Sequence, residues 1–464
     1  MKEIDLVEDA GLPDRFTPYT LFITIIASFS WFVVALPALA PAYVAPPASG
    51  LESTNSTPMP DFYTVIEEFD LDAHTAEYTT AAYFLGSLLL GQFPCIMSDR
   101  FGRLPAALFA LTSTGFAGIV CAMAPNFYVF LVGRCIQGMG FTPLTSVNWL
   151  LIGESVPLSC HGKASIVFGV MWALGYVCVS PIALLCQTWR MYFLATAIPT
   201  LIYAVIVKCC VRESLSFLIV NRRRESIDQW IAGMQRWSSD VKIDTACIDR
   251  LIADEDQEMP NKMVVIDDES YEIQEKSQGL CHGKVGLYLT INIYMWITTF
   301  LVYNGLSMTS TGIKIGNPHL NFVLSGLVEL PAAILLPGLL DTIGRRPTVI
   351  LSYVITSAAL VLMAFVPLEY SISYTIAWLT AKMMVAASFY ALYIYGSEIF
   401  PIKHRNVCLG LCATMGNIGA ISAPYVAHVA VHRPMTVSLL YAAVSLVSAC
   451  IDFLLPETMH KHKH

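Results

Sequence analysis

The sequence predicts an all-α membrane protein: twelve transmembrane helices in two pseudo-symmetric six-helix bundles. Three observations predict it. Of 464 residues, 55% are apolar and only 13% charged, roughly half the charged share of a soluble domain. Apolar runs recur at about 20 residues, the length a helix needs to cross hydrocarbon with its backbone groups satisfied. The two halves also repeat each other's landmarks at one offset. Together with a mean hydropathy of +0.59, these features exclude a soluble enzyme, a nucleic-acid binder and a disordered scaffold.

Residues 1–20 are polar and acidic and read as a cytoplasmic tail, so the first span serves as its own insertion signal. Six apolar runs follow at 21–41, 78–97, 104–123, 128–151, 163–185 and 189–211. They define an N-terminal bundle over 21–211 with a short outer loop at 42–77. A polar linker, 212–285, separates it from runs at 286–308, 319–340, 347–367, 373–397, 406–430 and 435–455. The C-terminal bundle is thus 286–455, and 456–464 is a second cytoplasmic tail. Most of the 13 cysteines lie inside these runs, where they act as small apolar residues.

Orientation follows from Lys and Arg placement. With both termini inside, inward segments carry 22 of the 27 basic residues and outward segments 3; setting 208–285 aside still leaves 11 against 3. The outer loop contains Asn55-Ser56-Thr57, a glycosylation acceptor on the face where it is modified. The linker mixes Arg222-Arg223-Arg224 with acidic runs and reads as solvated. The three histidines of the C-terminal tail read as solvated too, not as a metal site.

Asp99-Arg100-Phe101-Gly102-Arg103 after the second span matches Asp341-Thr342-Ile343-Gly344-Arg345 after the eighth, 242 residues on. Glu154-Ser155-Val156-Pro157 and Glu398-Ile399-Phe400-Pro401 end the fourth and tenth spans, and Arg212-Glu213-Ser214 and Pro456-Glu457-Thr458 follow the sixth and twelfth, both pairs 244 apart. A parallel duplication of this kind resembles the internal symmetry of major facilitator transporters. The glycine permits a tight turn, and Asp99, Arg103, Asp341 and Arg345 flank it at the membrane surface. Glu154 and Glu398, at inner helix ends, are their candidate gating partners.

The stretch from Trp296 to Pro331 includes Tyr303-Asn304-Gly305-Leu306-Ser307, Asn321-Phe322 and Ser325-Gly326-Leu327-Val328-Glu329-Leu330-Pro331. It resembles the seventh-to-eighth-span signature of the organic cation/anion/carnitine transporters, solute carrier family 22. Tyr393-Ile394-Tyr395-Gly396-Ser397-Glu398 with Arg405-Asn406 is similar to that family's tenth-span end. The resemblance runs from about residue 70 to the end. It implies a twelve-span carrier of small organic solutes. Two departures matter: the outer loop is short and lacks cysteine, and the first-half Glu-x6-Arg of the family becomes Glu154 to His161, while Glu398 to Arg405 keeps it. His161 therefore joins Arg405 among the gating candidates.

Charges inside spans are costly unless paired or hydrated. Four stand out: Arg134, Glu329, Lys382 and Asp452. Arg134 in Gly133-Arg134-Cys135 matches a facilitator motif of the fourth span and is a gating candidate that packs on backbone or a carboxylate. Asp452, at the inner end of the last span, is expected to reach water. Glu329 and Lys382 border the expected cavity; either they pair, or Glu329 attracts a substrate cation and Lys382 is satisfied elsewhere. In the family, one eleventh-span position often tracks substrate charge, and here Asn417 occupies it. Trp149, Tyr303, Tyr390 and Tyr393 supply aromatic faces that bind alkylammonium groups. Asn148 and Asn304 complete the substrate-binding candidates.

The chain lacks a Walker-type loop, a catalytic constellation and a cofactor motif. It reads as a non-enzymatic, plasma-membrane carrier of an organic cation, zwitterion or neutral metabolite, working by alternating access in a lipid bilayer with no cofactor, metal or nucleic-acid partner. Facilitated diffusion, exchange and symport with a coupling ion all fit. A sugar or polyol facilitator and a non-transporting receptor of the same fold are the alternatives.

Overall fold

The computed structural model describes residues 15–46, 62–157, 160–237, 283–310, 317–366, 371–400 and 405–458. Helix α1 (Pro18–Leu39) starts at a reciprocal cap: Thr17 Oγ1 accepts the Thr20 amide at 3.1 Å and Thr20 Oγ1 accepts the Thr17 amide at 2.9 Å. The first span breaks at Ala40 and resumes as α2 (Pro41–Val44), because a proline cannot continue the hydrogen-bond ladder. After α3 (Val65–Phe69), the second span is α4 (Ala73–Leu90) with α5 (Gln92–Phe101), and the third is α6 (Arg103–Ala122). The fourth is α7 (Phe127–Gly138) with α8 (Phe141–Gly153); α9 (His161–Cys186) and α10 (Trp189–Cys210) complete the N half.

Two linker helices follow, α11 (Leu215–Val220) and α12 (Arg224–Trp237). The C half comprises α13 (Gly283–Thr309), α14 (Pro318–Leu327) with α15 (Glu329–Thr342), α16 (Arg345–Phe365), α17 (Ser371–Ile399), α18 (Arg405–His432) and α19 (Pro434–Asp452).

Among the described residues, eleven of the twelve expected spans form helices long and apolar enough to cross a membrane. The fourth differs because α7 and α8 have only 12 and 13 residues. Met139 and Gly140 between them keep right-handed helical angles, so the path continues through the break. Here α4 comes close: a Cβ at Gly138 would collide with the Tyr83 carbonyl.

The halves meet along two helix pairs related by the repeat. Helix α9 packs on α14 and α15, and α18 packs on α4. Within the N half α6 packs on α10 and α9 on α1; within the C half α13 packs on α18 and α16 on α19. Large apolar side chains such as Leu185, Leu335 and Ile372 point outward, a surface suited to lipid tails.

Helix α12 is amphipathic. Ile227, Trp230, Ile231 and Met234 are buried, Trp230 meets Tyr19 edge-on at 5.6 Å, and Trp237 stacks on Phe22 at 4.7 Å. The linker therefore begins as part of the N half. Residues 238–282, most of the linker, and Asn55 lie outside the described residues.

At the opposite end, segment 62–72 docks on the N half. Tyr63 forms an isolated parallel bridge with Thr188: its amide donates to the Gln187 carbonyl at 2.7 Å, and its own carbonyl accepts the Trp189 amide at 3.1 Å. Glu68 accepts from Trp189 Nε1 at 2.7 Å and from Arg190 Nη2 at 2.5 Å. Arg190 also donates to the carbonyls of Ala122 and Ala124. The Arg190 guanidinium holds the Glu68 carboxyl below the usual carboxylate range. A carboxyl lowered in this way stabilises the fold fully at neutral pH, and the gain disappears as pH falls through its folded value. Replacing Arg190 by alanine is expected to lower stability by about 1–3 kcal/mol at neutral pH, and by less in acid. Unfolding of the detergent-solubilised protein at the two pH values measures this, and equal losses at both contradict it.

Candidate functional site

Two clusters of charge occupy one end of the molecule, built by equivalent residues of the two halves. The turn that follows each D-x-x-G-R aspartate passes through a glycine with positive φ, 120° at Gly102 and 112° at Gly344, a region that strains any side-chain-bearing residue. That turn aims the next arginine back across the helix ends. Arg103 Nη2 binds Glu154 Oε1 at 2.8 Å, its Nη1 donates to the Ser98 carbonyl at 3.0 Å, and Asp99 lies 3.5 Å away. Arg345 Nε lies 3.1 Å from Glu398 Oε2, with Asp341 at 3.2 Å and the Leu340 carbonyl at 3.1 Å.

A second carboxylate in each cluster escaped the sequence-based assignment. Glu213 accepts the backbone amides of Arg103 and Ser214 at 2.9 and 3.0 Å, and that of Leu104 at 3.2 Å. Glu457 accepts the amides of Arg345 and Arg346 at 3.0 and 3.1 Å. Each thus caps the N-terminus of a helix, α6 or α16, where free amides attract negative charge. Ser214 and Thr458 donate to Glu154 and Glu398 at 2.6 and 2.5 Å. The signal was present in the third repeated landmark, Glu213-Ser214 against Glu457-Thr458.

These charge pairs tie helix ends together within one half; none of them crosses between halves. His161 Nε2 donates to the Gly153 and Val156 carbonyls, 3.0 and 3.3 Å away, so it closes the end of α8 rather than replacing the missing arginine on Glu154. The Arg405 side chain lies outside the described residues. Arg134 sits away from both clusters. It is fully buried, donates to the carbonyls of Pro37 and Thr79 and to Gln137 Oε1, and lies over the Tyr83 ring at 4.6 Å. Of the two partners expected for it, backbone prevails over carboxylate.

The expectation that Asp452 reaches water is corrected. It is 0% exposed, and neither carboxylate oxygen has a hydrogen-bond partner among the described residues. Just past α19, Leu455 is buried and its amide donates to the Asp452 backbone carbonyl at 3.0 Å, and the Pro456 carbonyl accepts the Tyr395 hydroxyl at 2.6 Å.

The centre of the molecule holds the other in-span charges. Glu329, first residue of α15, and Lys382 of α17 pair at 3.1 Å, both 0% exposed. The Lys382 ammonium also donates to Ser307 Oγ at 2.6 Å and lies 3.3 Å from the Tyr303 ring centroid. Across the interface, Tyr176 of α9 stands 5.1 Å from the same ammonium, and Trp172 Nε1 donates to the Tyr303 hydroxyl at 2.7 Å. Of the two readings left open by the sequence, the closed structure adopts the pair.

Aromatic rings continue the site on both sides. Trp31 touches Phe168, Trp172 and Tyr393, and Phe389 lies between Tyr303 and Tyr393. Trp31, Trp172, Tyr176 and Phe389 were not singled out from the sequence. Trp31 and Trp172 stand mid-span, far from the helix ends where interface belts place aromatics, and that position was the available signal.

The remaining candidates scatter. Tyr390 reaches the Gly169 carbonyl across the interface at 3.5 Å. Trp149 packs on Phe168 and His161, toward the charge clusters. Asn148, Asn304 and Asn417 each donate to carbonyls of their own helix. Asn304 also lines, with Ser307, Ala38, Ala42, Met308 and Phe322, a small niche beside the ion pair. Toward the loop end the halves close again: Glu77 lies 3.1 Å from His428, and His319 stacks on Tyr43 at 5.3 Å and meets Ser180 at 3.2 Å.

The sequence model of a family described as "Sugar (and other) transporter" matches residues 29–462. The chain is 27% identical to the Caenorhabditis elegans protein B0252.3 over 450 residues, 96% of this chain and 87% of the relative. It is 27% identical to the Drosophila melanogaster organic cation transporter-like protein over 383 residues, and 26% identical to rat solute carrier family 22 member 3 over 403. Those alignments cover 81% and 85% of this chain, but only 66% and 69% of the two relatives. Among solved structures, the proton:xylose symporter XylE bound to 6-bromo-6-deoxy-D-glucose superposes with a TM-score of 0.69 at 18% identity, over 95% of this chain and 96% of that one. At that identity the likeness is one of fold.

Burial raises the Glu213 carboxyl above its ordinary value, against the pull of its backbone bonds and of Arg103. A raised carboxyl favours the folded state at low pH, and that advantage is lost as pH climbs from the unfolded value toward the folded one. Glu213→Gln, which keeps an acceptor for the amides, should flatten this part of the stability profile. Melting curves of both proteins from pH 4 to 7 test it; parallel profiles would refute the assignment.

Proposed function

The chain belongs to the sugar (and other) transporter family, and from that premise we propose that it carries small organic solutes across a bilayer, organic cations foremost, by alternating access. It is a multi-pass membrane protein of the major facilitator fold, and the named relatives in solute carrier family 22 and the organic cation transporters support the solute class. The observation that carries the reading is the Glu329 carboxylate. It is buried where the halves meet, with the Tyr303 face and the Tyr176 ring, one from each half, around the cation it holds. An alkylammonium ion satisfies the same groups by charge and by cation–π attraction of about 0.5–2 kcal/mol per ring.

Each half works as a braced body. The Arg103–Glu154 and Arg345–Glu398 clusters keep the helix ends of one half in register while the halves rock about the centre. The α9–α14/α15 and α4–α18 contacts slide or part as one mouth opens. The Lys and Arg distribution supports a cytoplasmic location for the clustered end and for both termini, with segment 62–72 outside, and the plasma membrane is the location we propose. Asn148, Trp149, Tyr390, Tyr393 and Asn417 line the route on this reading, with Asn304 beside the pair.

Removing both charges together avoids stranding either one in the core. Glu329→Gln combined with Lys382→Met is therefore expected to preserve the fold and to cut organic-cation uptake roughly 10-fold or more, the loss of one charge-assisted contact. Uptake into proteoliposomes at fixed voltage and pH measures this. Undiminished uptake by the double variant, or equal flux with and without the protein across a broad solute panel, refutes the reading.

A further inference from the structure

The cation position described above is already filled, and by the protein itself. The Lys382 ammonium makes the contacts a bound alkylammonium would make: Glu329 at 3.1 Å, Ser307 at 2.6 Å, the Tyr303 ring at 3.3 Å and the Tyr176 ring at 5.1 Å. These groups come from the seventh, eighth and fifth spans, so the lysine touches both halves at once. We infer that Lys382 is a tethered stand-in for the cargo, which fills the cation position when the carrier is empty and yields it when a cation arrives. This inference rests on the organic-cation reading of the site and says how that site handles its empty state.

Three physical considerations support it. First, an empty site without the lysine would enclose a bare carboxylate between the halves, which a closed, water-free interior opposes strongly. With the lysine in place, the empty site closes with no net charge. Second, lysine is a compact charge on a flexible four-carbon stem, unlike the planar arginine fork, so it leaves and re-enters one position easily. Third, a polar neighbour lies beside it: Ser307, which holds the ammonium, also lines the small niche that contains Asn304, so a lysine that shifts keeps Ser307 as a partner and stays near a second polar side chain.

Charge accounting then separates the two legs of the cycle. The empty carrier reorients neutral, with Glu329 and Lys382 cancelling. The loaded carrier crosses with one net positive charge, its lysine displaced. In Lys382→Met the assignment reverses: the loaded site is neutral, and the empty site carries an unpaired negative charge that resists closure. The lysine therefore determines whether the protein returns empty or works only as an exchanger.

The test uses the full-length protein in proteoliposomes loaded with labelled tetraethylammonium. Efflux into cation-free buffer requires the empty return, and efflux into buffer with unlabelled tetraethylammonium does not. For Lys382→Met the ratio of cation-free efflux to exchange should fall at least tenfold relative to wild type, and voltage dependence should move to the empty leg. Lys382→Arg should restore most of the ratio. Lys382→Gln, which keeps a polar tip for Ser307, serves where the methionine variant fails to insert. An unchanged ratio overturns the inference alone. Loss of exchange in both neutral variants also overturns it, since the lysine would then be needed on the loaded leg. Wild-type protein that moves no tetraethylammonium in either mode overturns the functional reading itself.

Discussion

The electrostatic cost of enclosing Glu329 between two apolar bundles is the constraint on which the rest of the structure turns. A lone carboxylate at that depth opposes closure by several kcal/mol, and Lys382, 3.1 Å away, offsets that cost. The contact joins the tenth span to the eighth, and Ser307 and Tyr303 bring the seventh to the same point. Tyr176 and Trp172 then bring the opposite half into the same set of contacts. A single pair thus links local charge, helix register and the approach of the two bundles.

The clustered end answers a different requirement. Helices α6 and α16 begin with amides that have no partner in their own ladder, and an anionic side chain from beyond the sixth or twelfth span supplies one. The arginine beside it is occupied by a second carboxylate from the end of the fourth or tenth span. Three stretches distant in sequence therefore meet at one point, twice. Duplication explains why the two sites agree in residue type and in geometry, to within a few tenths of an ångström in the amide contacts.

What was legible in the sequence follows from how local each signal is. Apolar runs are local, so eleven spans stand close to where hydropathy put them, while the fourth divides at Met139 and Gly140, beside a helix–helix contact at Gly138 that composition does not show. Charges in apolar runs are conspicuous, so Glu329 and Lys382 were found without knowing that they touch. Trp31, Trp172 and Phe389 were missed because membrane helices use aromatics everywhere, and only their convergence distinguishes them. Asn417 stood out through family resemblance, and its amide nitrogen donates to its own helix while its buried amide oxygen has no hydrogen-bond partner among the described residues. Asp452 looked accessible from its place near the helix end, yet tertiary packing, which hydropathy does not show, buries it fully.

Arg134 has a wider consequence. Its guanidinium stays charged at any pH a cell meets, and what it holds are carbonyls and an amide rather than a carboxylate. Neither acidification nor added salt offers such a brace a competing partner, since nothing in it titrates and water is excluded. The first, second and fourth spans are thereby fastened at a joint whose chemistry is indifferent to the solution on either side of the membrane.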